Sequence, residues 1–222
     1  MINFENLFNK KTEIKDGSYH IEGVPFFTQR LDEETYEQEG FESSDEAKHW
    51  SSRICGIACL KMVLLTKFPE KKIPLKELLS QGKDIGAYEE NKGWIHRGLV
   101  NLGKKYGIEG GRESVGDDIE KIAKHIQSKE LVIASVTVGF EAGKEYKLED
   151  GSSYIMPKGG HLVVIYGVDV NDGKVGQLLL HHPSSEEDYE WQNRIVSREE
   201  FLNSFSSKGN IIYFSITHEK KT

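Results

Sequence analysis

Cysteine is scarce in this 222-residue sequence, and an excess of positive charge is missing altogether. The only two cysteines, Cys55 and Cys59, lie four residues apart in a helix-forming stretch. Side chains at that spacing stack along the axis rather than converge, which excludes an ordinary disulfide between them. No CxxC pair occurs, so an all-cysteine zinc site is excluded as well. A reduced setting is the expectation, and with it a cytoplasmic one. Lys and Arg number 29 against 36 Asp and Glu, a net charge of −7, which leaves no electrostatic footprint for a nucleic-acid partner. No apolar run reaches membrane-spanning length, and the start Met1-Ile2-Asn3-Phe4 has neither the basic flank nor the apolar core of a signal peptide, so no membrane partner is expected. Internal repeats and linker-like segments are missing too. A hydrophobic content of 37 % with 29 % charged residues suits one globular domain of this length.

What is present centres on Cys55-Gly56-Ile57-Ala58-Cys59-Leu60-Lys61-Met62-Val63-Leu64-Leu65, an apolar run of helix formers after the polar approach Ser51-Ser52-Arg53. Cys55 falls at the expected helix N-terminus, where open backbone N–H groups and the positive end of the macrodipole favour thiolate, the nucleophilic form. Cys59, one turn on, reads as a small buried hydrophobe. Residues 1–23 read as a polar lead-in with a short strand near 19–21, and residues 218–222 as a solvated tail. Between them Val24 to Gln29 is a short apolar segment ending in an amide. Residues 30–52 form an acidic insertion carrying Asp32, Glu33, Glu34, Glu37, Glu39, Glu42, Asp45 and Glu46, read either as a solvated loop or as a lid beside the site. Helical spacing follows over 94–106, and Asp117 with Glu120 has the capping-box distance for a second helix. The period then becomes strand-like over 131–138 and 161–168, a turn signal stands at Asn171-Asp172-Gly173, and another strand closes on Pro183. Ser197 to Glu200 is a capping box, and a last strand spans 210–217. Helices first and strands after give an α+β class.

Polar groups at the ends of these apolar runs are Gln29, Cys55, His161 and the pair His181/His182. A thiolate nucleophile needs a base, and histidine is suited to that near neutral pH. The developing oxyanion needs N–H donors, which the backbone of Cys55 and the amide of Gln29 would supply. His181 and His182 point to opposite faces of a strand, so at most one faces the site. Trp94 is most simply a core anchor. A rival arrangement places zinc among His161, one of the paired histidines and Cys55, but no known ligand spacing supports it, so neither metal nor cofactor is expected.

The succession Pro25 to Gln29, Cys55-Gly56-Ile57-Ala58, Gly160-His161-Leu162-Val163-Val164-Ile165-Tyr166-Gly167 and a strand ending at Pro183 resembles the papain-like cysteine peptidases of the bacteriocin-processing (double-glycine leader) family in their stand-alone form. The resemblance covers about 24–216. It implies a single papain-like domain over 1–222, with the helix carrying Cys55 packed on a mostly antiparallel sheet carrying His161. It also implies Cys55 as nucleophile, His161 as general base, Gln29 as oxyanion donor and a peptide or protein substrate, with Gly160 and Trp94 beside it. Two departures stand out. The family keeps its Gln within a few residues of the Cys, whereas the acidic insertion separates them here. The family's orienting acid, just before the proline, is replaced by His182, whose ring would accept a hydrogen bond from His161 only when neutral. Activity is then expected to fall through the histidine range on acidification, with Asn193 or Ser184 next in line as partners for His161. The alternative function is a catalytically inactive papain-like domain that binds a peptide or protein.

Overall fold

The computed structural model describes residues 14–148, 150–184, 192–206 and 208–217. The first thirteen residues of the expected lead-in and the tail after 217 lie outside them. In chain order the elements are strand β1 (Gly17–His20), helices α1 (Ser44–Ser51), α2 (Cys55–Lys67) and α3 (Leu75–Asp84), and short strands β2 (Tyr88–Glu89) and β3 (Gly93–Trp94). Helix α4 (His96–Lys105), β4 (Gly110–Ser114), α5 (Glu120–Gln127), β5 (Glu130–Val136), and the pair β6 (Glu145–Lys147) and β7 (Ser153–Ile155) follow. The chain ends with β8 (His161–Asn171), β9 (Lys174–His181), β10 (Arg194–Ser197), α6 (Arg198–Ser204) and β11 (Asn210–Ser215).

The main sheet is antiparallel at every pair, in the order β10-β9-β8-β5-β11-β4, with β1 added to the far half of β8. β8 and β9 form a hairpin whose turn residues Asp172 (φ 51°) and Gly173 (φ 68°) both lie in the left-handed region, the geometry that the Asp-Gly pair permits. Tyr213 stacks on His125 of α5, whereas its neighbour Phe214 packs beside Gly103 of α4. Successive strand residues point to opposite faces, so helices cover both sides of the sheet.

Helix α2 lies against β8 and is buried from Cys55 to Leu64, as a helix apolar on all sides must be. One charge, Lys61, goes inside with it. Its ammonium pairs with Glu39, which also accepts the Leu75 N–H at the start of α3 (2.8 Å), and it lies 4.2 Å from the Phe27 ring centroid. Glu39 belongs to the acidic insertion, and Lys76 pairs likewise with Glu46. Phe41, Ala47 and Trp50 of the same segment are core residues. The segment is therefore a folded cover anchored on α2 and α3 rather than a solvated loop.

Other differences are local. α5 begins at Glu120 with no side-chain cap, so the Asp117–Glu120 box does not form. The box at Ser197 does, its Oγ accepting the Glu200 N–H at 3.2 Å.

Candidate active site

Cys55 opens α2, as the sequence pattern requires, and no side chain caps that helix. The first-turn N–H groups are thereby left for a ligand. Gly56 follows for a packing reason: a Cβ there would stand 2.5 Å from Cγ of Trp94. On its other side the Trp94 ring meets Gly82, where a Cβ would be 2.8 Å away, so two glycines cradle the indole between α2 and α3. Trp94 Nε1–H donates to the carbonyl of Arg53 at 2.7 Å, fixing the turn that delivers Cys55. Trp94 is thus an anchor as well as a wall of the site.

Cys55, 9 % exposed, borders a cavity of about 530 Å³, whose walls include Trp94, Gly160 and Leu162. Gly160 is held at φ +94°, donates its N–H to Ser135 Oγ (3.0 Å), and a Cβ on it would meet open space. Glycine there both satisfies the backbone and keeps the cavity wide. Cys59 is fully buried, its Sγ–H donating to the Leu162 carbonyl at 3.3 Å.

Gln29, on the far side of the insertion in sequence, is joined to its return point. Its Nε2 donates to the carbonyl of Ser51 at 2.8 Å, and its backbone N–H donates to Pro183 O at 2.7 Å. The insertion therefore leaves from Gln29 and returns to Gln29, which ties the amide to the residue four before Cys55 despite the intervening chain. The same residue is 2 % exposed and does not border the cavity.

His161 opens β8 between two cavity residues, Gly160 and Leu162, yet lies outside the lining itself and is only 4 % exposed. Its ring stacks on that of His182, with centroids 4.3 Å apart and planes at 21°. Rings that meet face to face do not share an in-plane N–H···N bond, so the hydrogen bond from His161 to His182 is replaced by a stack. His182 Nδ1 accepts the Ser184 N–H at 3.3 Å, which puts the ring proton on Nε2. His181 turns the other way, to Val24 O at 3.1 Å and onto Tyr166. Asn193 and Ser184, the other candidates, sit elsewhere: Asn193 Oδ1 accepts from Tyr166 Oη, and Ser184 Oγ accepts from Arg30 at 3.4 Å.

Electrostatics set the protonation states. Burial, helped by the Arg30 charge, lowers the pKa of His161 to about 3. Burial, then the His161 and Arg194 charges, lowers that of His182 to about 2. Both rings are neutral at pH 7, and the expected loss of activity through the histidine range moves to lower pH. Burial pushes the Cys55 thiol up, outweighing the opposing backbone N–H groups of Leu162, Gly56 and Cys55 itself. Among the described residues no hydrogen bond joins Cys55 to His161. Cys55 therefore rests as a thiol and His161 as a neutral imidazole.

A cysteine opening a buried helix, a glycine before a strand-initial histidine, and a residue stacked on that histidine ahead of a proline form one pattern. The sequence model of the Peptidase_C39 like family matches residues 21–212. The chain belongs to that family. Among solved structures, a putative C39-like peptidase from Bacillus anthracis superposes with a TM-score of 0.55 at 18 % identity, covering 90 % of this chain and 98 % of the other. A double glycine motif protease from an AMS/PCAT transporter, solved with its leader peptide, gives 0.49 at 16 % identity over 91 % and 100 % of the two chains. The Streptococcus ComA peptidase domain gives 0.47 at 19 % over 74 % and 92 %. No curated protein matches the sequence. The fold of this C39-like chain is α+β and papain-like, with the Cys55 helix packed on an antiparallel sheet carrying His161. Among the described residues no group of His, Cys, Asp and Glu is placed to hold a metal ion, and no helix is long and apolar enough to cross a membrane.

Proposed function

We propose that this C39-like chain is a cysteine peptidase that cleaves peptides through a thioester on Cys55. The observation that carries the reading is Cys55 itself, at the uncapped start of α2 on the border of a cavity large enough for several side chains. In this scheme the sulfur attacks the scissile carbonyl as His161 takes its proton. The oxyanion is met by the open N–H groups at the start of α2; Gln29, although it does not border the cavity in the free protein, is assigned as a further donor through the amide hydrogen not committed to Ser51. His161 returns the proton to the departing amine, and water then releases the acyl group.

His182 acts here as a positioning residue, fixing the plane of His161 by stacking where a carboxylate would hold it by an in-plane bond. Without that negative charge the imidazolium formed during attack gains nothing from its neighbour, so turnover is slow by comparison with a site that carries an acid. Two reduced thiols suit a cytoplasmic setting.

The test is hydrolysis of a generic peptide amide and its thioester analogue by the parent and by Cys55→Ala. Activity in the parent that vanishes in the variant, with unchanged thermal stability, is the expected result; activity that survives in Cys55→Ala refutes it. One finding favours a second reading, a peptide-binding domain without catalysis: the thiol is raised by burial and makes no hydrogen bond to His161. That reading expects Cys55 to alkylate no faster than free cysteine at pH 7 and peptides to bind uncut.

A further inference from the structure

The cavity beside Cys55 has a charge opposite to that of the chain around it. Arg53, Lys92, Lys158 and Lys208 border it against one lining acid, Glu90; counting Glu89, which pairs with Lys92 at 2.6 Å from outside the lining, the balance is four to two, or +2, in a chain whose net charge is −7. These cations come from four separate places: the turn before α2, the β2–β3 hairpin, the segment before β8, and the loop between α6 and β11. Their meeting is a product of the tertiary fold, not of a basic run in the sequence. Two of them are held at their stations. Arg53 Nη1 donates to the His49 carbonyl at 2.7 Å, and Lys158 Nζ donates to the Leu202 carbonyl at 2.9 Å. Carbonyl partners orient a cation without neutralising it, so neither charge is cancelled by its partner. His96, also on the wall, is kept neutral by burial and the charge of Arg112, and adds nothing to either side. The remaining wall combines the small residues Gly93, Gly160 and Ser135 with the larger Tyr88, Trp94 and Leu162. A concave site walled by one sign of charge focuses field and concentrates ligands of the other sign.

We propose that this cavity binds a carboxylate of the substrate, either an Asp or Glu side chain close to the scissile bond or the α-carboxylate of a peptide C-terminus. The inference rests on the reading of Cys55 as a peptidase nucleophile, but its first test does not need peptide hydrolysis. Cys55 is alkylated with iodoacetate, which carries a carboxylate, and in parallel with neutral iodoacetamide. The ratio of the two rates is divided by the same ratio for free cysteine, and the modified site is read by mass spectrometry. The expected normalised ratio is about tenfold in favour of iodoacetate. It falls towards one in the Lys158→Glu/Lys208→Glu variant and in high salt, and is unchanged in Lys104→Glu, the same charge change on the exposed end of α4. A ratio at or below one in the parent, or one indifferent to the double reversal, overturns the proposal.

The second test uses peptides matched in pairs: internal Glu against Gln, and C-terminal acid against amide. A lower KM for Glu over Gln assigns the side chain as the source; a lower KM for free acid over amide assigns the terminus. Hydrolysis with no preference in either pair overturns the charge inference and leaves the peptidase reading standing. A high alkylation ratio with no hydrolysis of any peptide supports the anion site and defeats the peptidase reading instead.

Discussion

Replacing His182 with Asp separates catalysis limited by charge from catalysis limited by position. In the parent, the proton of a thiol raised by burial must pass to an imidazole lowered to about 3, so almost no thiolate–imidazolium pair exists at rest. The His161 and His182 centroids are 4.3 Å apart. An Asp carboxylate in place of the second ring stands at a similar distance from the first. At an effective dielectric of about 20, opposite unit charges at about 4 Å attract by about 4 kcal/mol, roughly a thousandfold in the proton affinity of His161. Position 182 is fully buried, so ionising the Asp has its own cost, which the Arg194 charge that already acts there offsets in part. The net expectation is a gain of about tenfold to a hundredfold in Cys55 reactivity. The assay is the second-order rate of Cys55 alkylation by iodoacetamide from pH 5 to 9. The parent should rise only as the thiol ionises on the alkaline side. His182→Asp should label faster at pH 7 and gain a limb in the histidine range. A folded variant whose profile superposes on the parent's refutes the coupling between positions 182 and 161 on which the site is built.

Acid should weaken the fold before any carboxylate titrates: in the unfolded chain His161 and His182 take up protons below about pH 6.5, but in the folded chain only near pH 3 and 2, so the unfolded state binds more protons across that window. Each then removes about 1.4 kcal/mol of stability per pH unit on acidification, seen as a falling urea midpoint between pH 7 and 5; a flat midpoint would show that these rings are not buried neutral. Gly56→Ala should cost about 1–3 kcal/mol and loosen the Cys55 turn, because its methyl meets the Trp94 ring at 2.5 Å; thermal melts that match the parent's would mean the cradle gives way freely. Glu39→Ala strands Lys61, which is 6 % exposed, and should cost about 3–5 kcal/mol, whereas Glu39→Leu with Lys61→Leu should recover most of it; equal losses in both would argue against an uncompensated charge as the cause.

Features that depend on neighbours three or four residues apart were legible in the sequence. The start of α2 at Cys55, the Ser197 cap, the Asp172-Gly173 turn and the opposite facing of His181 and His182 are each dictated by a local periodicity or by one backbone preference. β4 was not legible, because Gly110-Gly111-Arg112-Glu113-Ser114 has no strand composition and pairs only because β11 offers an edge beside it. Nor was α1, whose polar composition conceals Ala47 and Trp50 as points of attachment, with Phe41 just ahead of it. The role of Gln29 as the clasp of a 22-residue excursion, the seating of Trp94 between Gly56 and Gly82, and the stacking of His161 on His182 all join segments that carry no mark of one another. The same holds for the chemistry of the thiol. The sequence by itself determined that Cys55 opens a helix, which favours thiolate; only the tertiary structure decided that burial outweighs that preference, because desolvation depends on everything packed around the sulfur and not on the helix that carries it.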